Sequence, residues 1–262
     1  MISLYTGSVG SGKSYHALEL GLEWTRKGKH VIANFPIRPP KKFFFRMHER
    51  YWKNILSRWD FQIELTPELL IAKSFENGWF GKESQCLVVI DEAGILFNSR
   101  DWQIAATSRR KWIHFLAQSR KFGYDFIFVC QSDRMIDRQI RGLVEYEVKH
   151  RRANNSFFLS WLSWFKISLF LYVYKWYGTK VKANLRMDVF KKWVANRYDT
   201  MRVFNLDELI SSLESMYAGK VIPAPVAVQL ERLRAEEDAR KKFVEEKKNE
   251  RENSQCAERI AD

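Results

Sequence analysis

The first fourteen residues, MISLYTGSVGSGKS, constrain this chain more than any other stretch. Gly7-Ser8-Val9-Gly10-Ser11-Gly12-Lys13-Ser14 fills the pattern GxxxxGK[ST], and the pattern has a physical logic. Glycines reach backbone conformations closed to other residues, so successive N–H groups can turn inward around a phosphate. A helix opening at Lys13-Ser14 aims its positive end at the same oxygens. The Lys13 ammonium then reaches the β- and γ-phosphates, and the Ser14 hydroxyl becomes a ligand for Mg²⁺. A Gly/Ser-rich turn arising by chance is the competing reading, and context opposes it. The β-branched and aromatic run Ile2 to Thr6 precedes the loop as a buried strand. Ser14 to Lys27 follows as a helix, with apolar residues at Ala17, Leu18, Leu20, Leu22 and Trp24. ATP and Mg²⁺ are therefore the expected ligands.

After Gly28, the run His30 to Phe35 reads as a second strand ended by Pro36 and Pro39-Pro40. Strand, helix and strand in so short a span make a βαβ unit, which implies a parallel sheet. Lys41 to Arg58 is basic and aromatic and is expected to be partly helical. Thr66-Pro67-Glu68 reads as an N-cap with proline at the first helical position. Cys86 to Ile90 and Phe126 to Cys130 are continuous apolar runs suited to central strands. Between them, Ser108 to Phe122 is a basic helix closed by Gly123. A helix is expected from about Asp133 to Arg141, then an edge strand over Val144 to Lys149.

The strand Cys86 to Ile90 ends in Asp91-Glu92. An open α/β sheet binds its ligands at the carboxyl ends of its strands. Asp91 there would hold Mg²⁺ through water, and Glu92 would polarise a water for attack on the γ-phosphate. A helix N-terminus decorated with acids is the bland alternative. The adjacent glutamate separates a hydrolase from a kinase, whose site must exclude water. Gln131 ends the next apolar strand and could contact the γ-phosphate or orient the attacking water.

Lys plus Arg number 44 against 31 acidic residues, a net charge of +13. That balance suits nucleic acid or an anionic membrane surface. Arg134, Arg138 and Arg141 have the spacing of one helix face and could track phosphates, or else form a solvated stripe paired to Asp133 and Asp137. Residues 156–178 are as long as a membrane span and carry Trp and Tyr at both ends. Lys166 near the middle opposes a span, at a cost of about 2.5–3.5 kcal/mol. The expectation is β structure or an interfacial helix. The three cysteines have no metal-site spacing, which with the absence of a signal-peptide pattern points to a reducing compartment and no secretion.

GSVGSGKS, VIANFPI, LVVIDEAG and QSRKFGYDFIFVCQS, in that order, resemble the Zot (zonular occludens toxin) family, and RYDTMRVFN is similar to the sequence that closes its domain. The family includes assembly ATPases of filamentous phages and is related to HerA/FtsK-type DNA motors. The resemblance implies an α/β P-loop NTPase fold of the RecA-like, additional-strand kind, with a mostly parallel central sheet flanked by helices. By position it assigns nucleotide contact to Gly7, Ser8, Val9, Gly10, Ser11, Gly12, Lys13 and Ser14, metal and water activation to Asp91 and Glu92, and sensing to Gln131. It implies a ring-shaped homo-oligomer, expected to be hexameric, exporting single-stranded phage DNA with coat or assembly proteins at the cytoplasmic face of the host membrane. Such rings use an arginine in trans, for which Arg120 is the first candidate, with Arg109 and Arg110 behind it. The expected organisation is an ATPase domain over 1–205, a linker over 206–225 and a charged helical or disordered tail over 226–262. The rival readings are a conjugation- or replication-type DNA translocase and a nucleotide-gated scaffold that does not hydrolyse.

Overall fold

Strands buried on both faces need apolar residues at every position, and the chain supplies them in short runs. In the computed structural model β1 (Ile2–Thr6), β4 (Cys86–Ile90) and β5 (Tyr124–Val129) are buried throughout. The structure describes residues 1–40, 46–62, 65–97, 106–153 and 168–198, with isolated helical positions between 210 and 242. Met1–Thr200 forms one compact unit and Met201–Asp262 a second.

One eight-stranded sheet organises the first unit, in the order β3-β2-β4-β5-β1-β6-β7-β8. Its remaining strands are β2 (His30–Ala33), β3 (Trp59–Phe61), β6 (Tyr146–Arg152), β7 (Leu169–Trp176) and β8 (Lys182–Val189). All pairings from β3 to β6 are parallel, whereas β6–β7 and β7–β8 are antiparallel. The strand carrying Gln131 at its end, β5, is thus inserted between β1 and β4, the additional-strand arrangement of a P-loop NTPase.

Alternate residues of these strands feed two cores. On one face Leu4, Val88, Ile90, Phe126 and Phe128 meet Leu70 of α3 (Pro67–Glu76) and Trp112 and Phe115 of α5 (Ala106–Gln118). A short α4 (Ala93–Leu96) intervenes between β4 and α5. On the other face Tyr5, Leu87, Val89 and Val129 meet Leu18 and Leu22 of α1 (Lys13–Arg26) and Trp52 and Ile55 of α2 (Arg46–Arg58). Thr66 caps α3 by accepting from the Leu69 N–H, with Pro67 at the first helical position.

Two elements differ from the sequence expectation. The segment at 133–141 is no single helix. A 3₁₀ turn (Asp133–Met135) and a separate α6 (Arg138–Arg141) flank an extended, fully buried Ile136. Ser132 and Asp137 each cap a new turn, accepting from the N–H groups of Arg134 and Gln139, and Ile136 is drawn into the core between them. Arg134, Arg138 and Arg141 therefore do not share one helix face, and Arg141 lies 4.0 Å from Asp133. The strand after it is interior rather than an edge, because β7 and β8 extend the sheet beyond it. Part of the aromatic-rich stretch forms β7; residues 156–167 of it, the Lys41 to Phe45 start of the basic aromatic region, the RYDTMRVFN segment from residue 199 on and most of the tail lie outside the described residues. Among the described residues no helix is long and apolar enough to cross a membrane.

α1 sits on the sheet edge through Gly21, where an added Cβ would come 2.7 Å from Trp59 Cζ3. Gly21→Ala should gain about 1 kcal/mol in helix propensity but lose about 1–3 kcal/mol to overpacking. The Trp59 ring is pinned by its Nε1–H bond to the Phe35 carbonyl, so the loss should win. A lower urea midpoint is expected; a raised one would mean that the ring yields.

Candidate functional site

The chain leaves β1 at Gly7 and must wrap tightly before α1 begins. Gly7 (φ +145°) and Gly12 (φ +90°) hold conformations that side chains rarely adopt. Space forbids a side chain as well: a Cβ at Gly7 would lie 2.5 Å from the His150 carbonyl oxygen, and one at Gly12 2.8 Å from the Phe170 ring. The Gly7 N–H donates to the Gln131 carbonyl at 3.3 Å, laying the loop across the end of β5.

Inside this wrap the Lys13 ammonium donates to the carbonyls of Gly7 (3.1 Å) and Ser8 (3.0 Å). Lys13 is buried, and among the described residues no carboxylate forms an ion pair with it. A buried cation solvated only by neutral carbonyls favours an incoming anion. The Ser11 hydroxyl is buried without a hydrogen-bond partner among the described residues, a second polar group suited to an incoming ligand.

Asp91 reaches this loop from β4, across the inserted strand. The Ser14 hydroxyl donates to Asp91 Oδ1 at 3.2 Å, and the Glu92 N–H donates to the same oxygen at 3.0 Å. Glu92 is half-buried with a left-handed backbone (φ +50°, ψ +44°), uncommon outside glycine, asparagine and aspartate. Burial foremost, and then the Asp91 charge, hold its carboxyl above the ordinary range, while Lys13 acts in the opposite sense.

Two groups of the site were not singled out in the sequence. Asn34, at the carboxyl end of β2, clamps the Asp91 backbone: its Nδ2 donates to the Asp91 carbonyl and its Oδ1 accepts from the Asp91 N–H, both at 2.8 Å. Tyr198 donates its hydroxyl to Asp91 Oδ2 at 2.7 Å. It follows α7 (Lys192–Ala195), far from Asp91 in the chain. Asn34 was legible in part, as the polar residue that breaks an apolar strand where ligand-binding groups gather; nothing in the sequence pattern marks Tyr198.

Gly7 through Ser14, Asp91, Glu92 and the Gln131 backbone thus converge at the carboxyl ends of β1, β4 and β5, and the Gln131 side chain is exposed there. Arg120 is not among them. It pairs with Glu83 at 3.3 Å, where the chain enters β4 and β5, at the opposite end of the sheet. Arg109 is near Asp137 (3.8 Å), and Arg110 lies beside it on α5.

The donor set fits a magnesium-bound nucleotide rather than a free metal ion. Among the described residues no cluster of three or more His, Cys, Asp or Glu could hold a metal. Ser14 and Asp91 alone offer too few oxygens, and Mg²⁺ characteristically completes its shell with waters and substrate phosphates.

Beneath the loop two imidazoles are buried together. His16 of α1 and His150 of β6 approach to 2.9 Å between ring nitrogens, and His16 stacks on Tyr172 at 3.9 Å between centroids. Burial holds His16 well below its usual range and lowers His150 to about 4.

Residues 1–168 match the family model described as Zonular occludens toxin (Zot). The Gene 1 protein of Salmonella phage IKe is 31% identical over 156 residues, which cover 58% of this chain and 40% of that protein. The Gene 1 protein of Enterobacteria phage I2-2 is 32% identical over the same length, with the same coverage. The match thus spans less than half the length of these relatives. The crystal structure of the N-terminal domain of zonular occludens toxin from Neisseria meningitidis aligns with 76% of this chain and 98% of its own, at 18% identity and a TM-score of 0.43.

Two measurements check this geometry. Asn34→Asp sets a carboxylate against the Asp91 carbonyl and should lower stability by about 1–3 kcal/mol, the cost of a spoiled buried pairing; an unchanged urea midpoint would remove the clamp. Between pH 6.5 and about 4 the unfolded chain binds protons that the buried His150 refuses, so stability should be whole above that window and fall as pH drops through it. His16→Gln relieves one of the two buried imidazoles and should flatten the fall in melting temperature, whereas an equal slope would assign the loss to carboxylates.

Proposed function

The chain belongs to the zonular occludens toxin (Zot) family, and on that premise we propose that it is an ATP-hydrolysing motor for filamentous-phage-type virion assembly, exporting single-stranded DNA at the cytoplasmic membrane. The observation that carries this reading is the convergence of Lys13 and Ser14 with Asp91 and Glu92 around one loop.

Each group has a task set by its chemistry. The loop N–H groups and the N-terminus of α1 would bind the phosphates, and the Lys13 ammonium would exchange its loop carbonyls for β- and γ-phosphate oxygens. Mg²⁺, held by the Ser14 hydroxyl and through water by Asp91, would supply charge that neutralises the phosphates. The Glu92 carboxylate would take a proton from water as its oxygen attacks the γ-phosphorus and the bond to the bridging oxygen breaks, leaving ADP. A raised carboxyl suits that step, since a stronger base accepts the proton more readily. Gln131 is the proposed sensor of the γ-phosphate, and Arg120, with Arg109 and Arg110 as alternates, the proposed donor of charge to a neighbouring subunit's site. The ATPase domain is assigned to 1–205, with the tail over 226–262 outside it.

Single-stranded DNA, a homo-oligomeric ring, coat or assembly proteins and the membrane surface complete the proposal. The chain's net charge of +13 supports the polyanion and the membrane surface alike.

Glu92→Gln keeps size and hydrogen bonding but cannot accept the proton. ATP binding should persist while hydrolysis falls about 10²- to 10⁴-fold, the usual worth of a general base. Turnover measured with and without single-stranded DNA tests both halves of the reading: retained hydrolysis in the variant removes Glu92 as base, and no hydrolysis by the unaltered chain in either condition leaves a nucleotide-gated scaffold.

A further inference from the structure

We propose that the exposed rings of Phe75 and Phe80, with the groove that opens beside them between α3 and α5, bind single-stranded DNA by stacking its bases. The inference rests on the DNA half of the reading above and gives that DNA a site apart from the phosphate loop.

Single exposed apolar side chains are ordinary on a protein surface, whereas rings packed together in the open are not. Phe75, on the last turn of α3, is 58% exposed, and Phe80, in the turn that follows, is 52% exposed. Their centroids lie 5.2 Å apart, and both meet the half-buried Phe122, at 6.2 Å and 5.4 Å. Phe122 rests in turn on the buried Phe115 of α5 at 5.6 Å. The backbone beneath the rings is tied down. The Trp79 N–H donates to the Ser74 carbonyl (2.8 Å), the Gly81 N–H to the Lys121 carbonyl (2.7 Å) and the Ser74 hydroxyl to the Phe122 carbonyl (2.8 Å). Trp79 is buried and anchors the turn, while Phe80 beside it is left in solvent. Two flat apolar surfaces are thus held in place where the core does not need them.

Beside them runs a groove of about 370 Å³, with Ile71 on its α3 side, Phe115 and Phe122 within it, and Arg110, His114 and Gln118 along α5. These last three recur every fourth residue and so share one stripe of the helix. Among the described residues their side chains have no hydrogen-bond or ion-pair partner. Lys82 and Lys121, exposed on the two tied turns, likewise pair with no carboxylate among the described residues. Glu83 and Glu68 are engaged by Arg120 (3.3 Å) and Lys111 (2.7 Å), and Glu76, next to Phe75, is the opposing charge. Ring faces for bases beside cations for phosphates are the means by which a single strand is held without regard to sequence. A duplex, its bases stacked on one another, would offer this surface only phosphates. The rings lie where the chain enters β4 and β5, at the end of the sheet opposite the phosphate loop, so strand and nucleotide can be held together.

Fluorescence anisotropy on the full chain, with a labelled oligothymidylate of about fifteen nucleotides, tests this. The oligothymidylate should bind about tenfold or more tightly than an abasic strand of the same length and charge. Phe75→Ala combined with Phe80→Ala should bring it down to the abasic level, with the melting temperature and the DNA-free ATPase rate unchanged. Lys82→Glu combined with Lys121→Glu should weaken both strands alike, since both present the same phosphates. Magnesium-bound ATP should displace neither. Equal binding of the two strands overturns the stacking site and marks a surface for acidic ligands, an acidic peptide included. Full affinity in the double alanine variant, or displacement by ATP, overturns it as well. Should that variant fold poorly, photocrosslinking of the unaltered chain to a strand bearing 5-iodouracil decides: attachment belongs at Phe75 or Phe80, and attachment elsewhere alone overturns the site. ATP hydrolysis without DNA is read in parallel. If it persists while the rings prove irrelevant, only this inference falls; if it is absent while ring-dependent binding holds, the DNA site stands and the motor reading falls.

Discussion

A hydrogen bond between Ser14 and Asp91 joins two strands that are not neighbours. With β5 between them, β1 and β4 stand roughly 9–10 Å apart, twice the usual strand spacing. No short side chain spans that gap from strand to strand. The gap closes because the loop leaves β1, is tied over β5 by the Gly7 N–H to the Gln131 carbonyl, and delivers Ser14 on the first turn of α1. The glycines, the inserted strand and the reach of the aspartate are therefore one constraint. Remove the close approach at Gly7 and the hydroxyl no longer meets the carboxylate.

The antiparallel strands β6 and β7 are as much a part of this arrangement as the parallel core. The His150 carbonyl walls the loop at Gly7, and the Phe170 ring walls it at Gly12. Tyr172 stacks on His16 two residues after Ser14, and the Thr6 hydroxyl donates to the buried Glu147 of β6. The first turn of α1 is thus held from the side as well as from below. This explains how a loop rich in glycine, the residue with most freedom to lose on folding, can be held in one shape.

What the sequence disclosed follows from the range of the forces involved. Continuous apolar runs and the phosphate loop are local patterns, and β1, α1, β4 and β5 were legible within a residue or two. Thr66 was readable as a cap because the signal lies within three residues. The break at Ile136 was not: spacing alone favoured a helix through Arg141, and only the pull of the core on one isoleucine, with two new caps beside it, decides otherwise. The interior position of β6 depended on partners more than fifteen residues away. Tyr198 and Asp91 are 107 residues apart, and no periodicity records such a contact. Asn34 stood in plain view, yet its role is set by the backbone of a different strand.

The left-handed backbone at Glu92 sets two demands on one position against each other. A glycine there would relieve the conformational cost, and the carboxyl beside Asp91 would be lost. Laboratory evolution for heat tolerance alone would be drawn toward that exchange, and its survivors would be sturdier without the acid that neighbours Asp91. Here an easy backbone and an acidic side chain are rival demands on a single position, and the chain carries the acid.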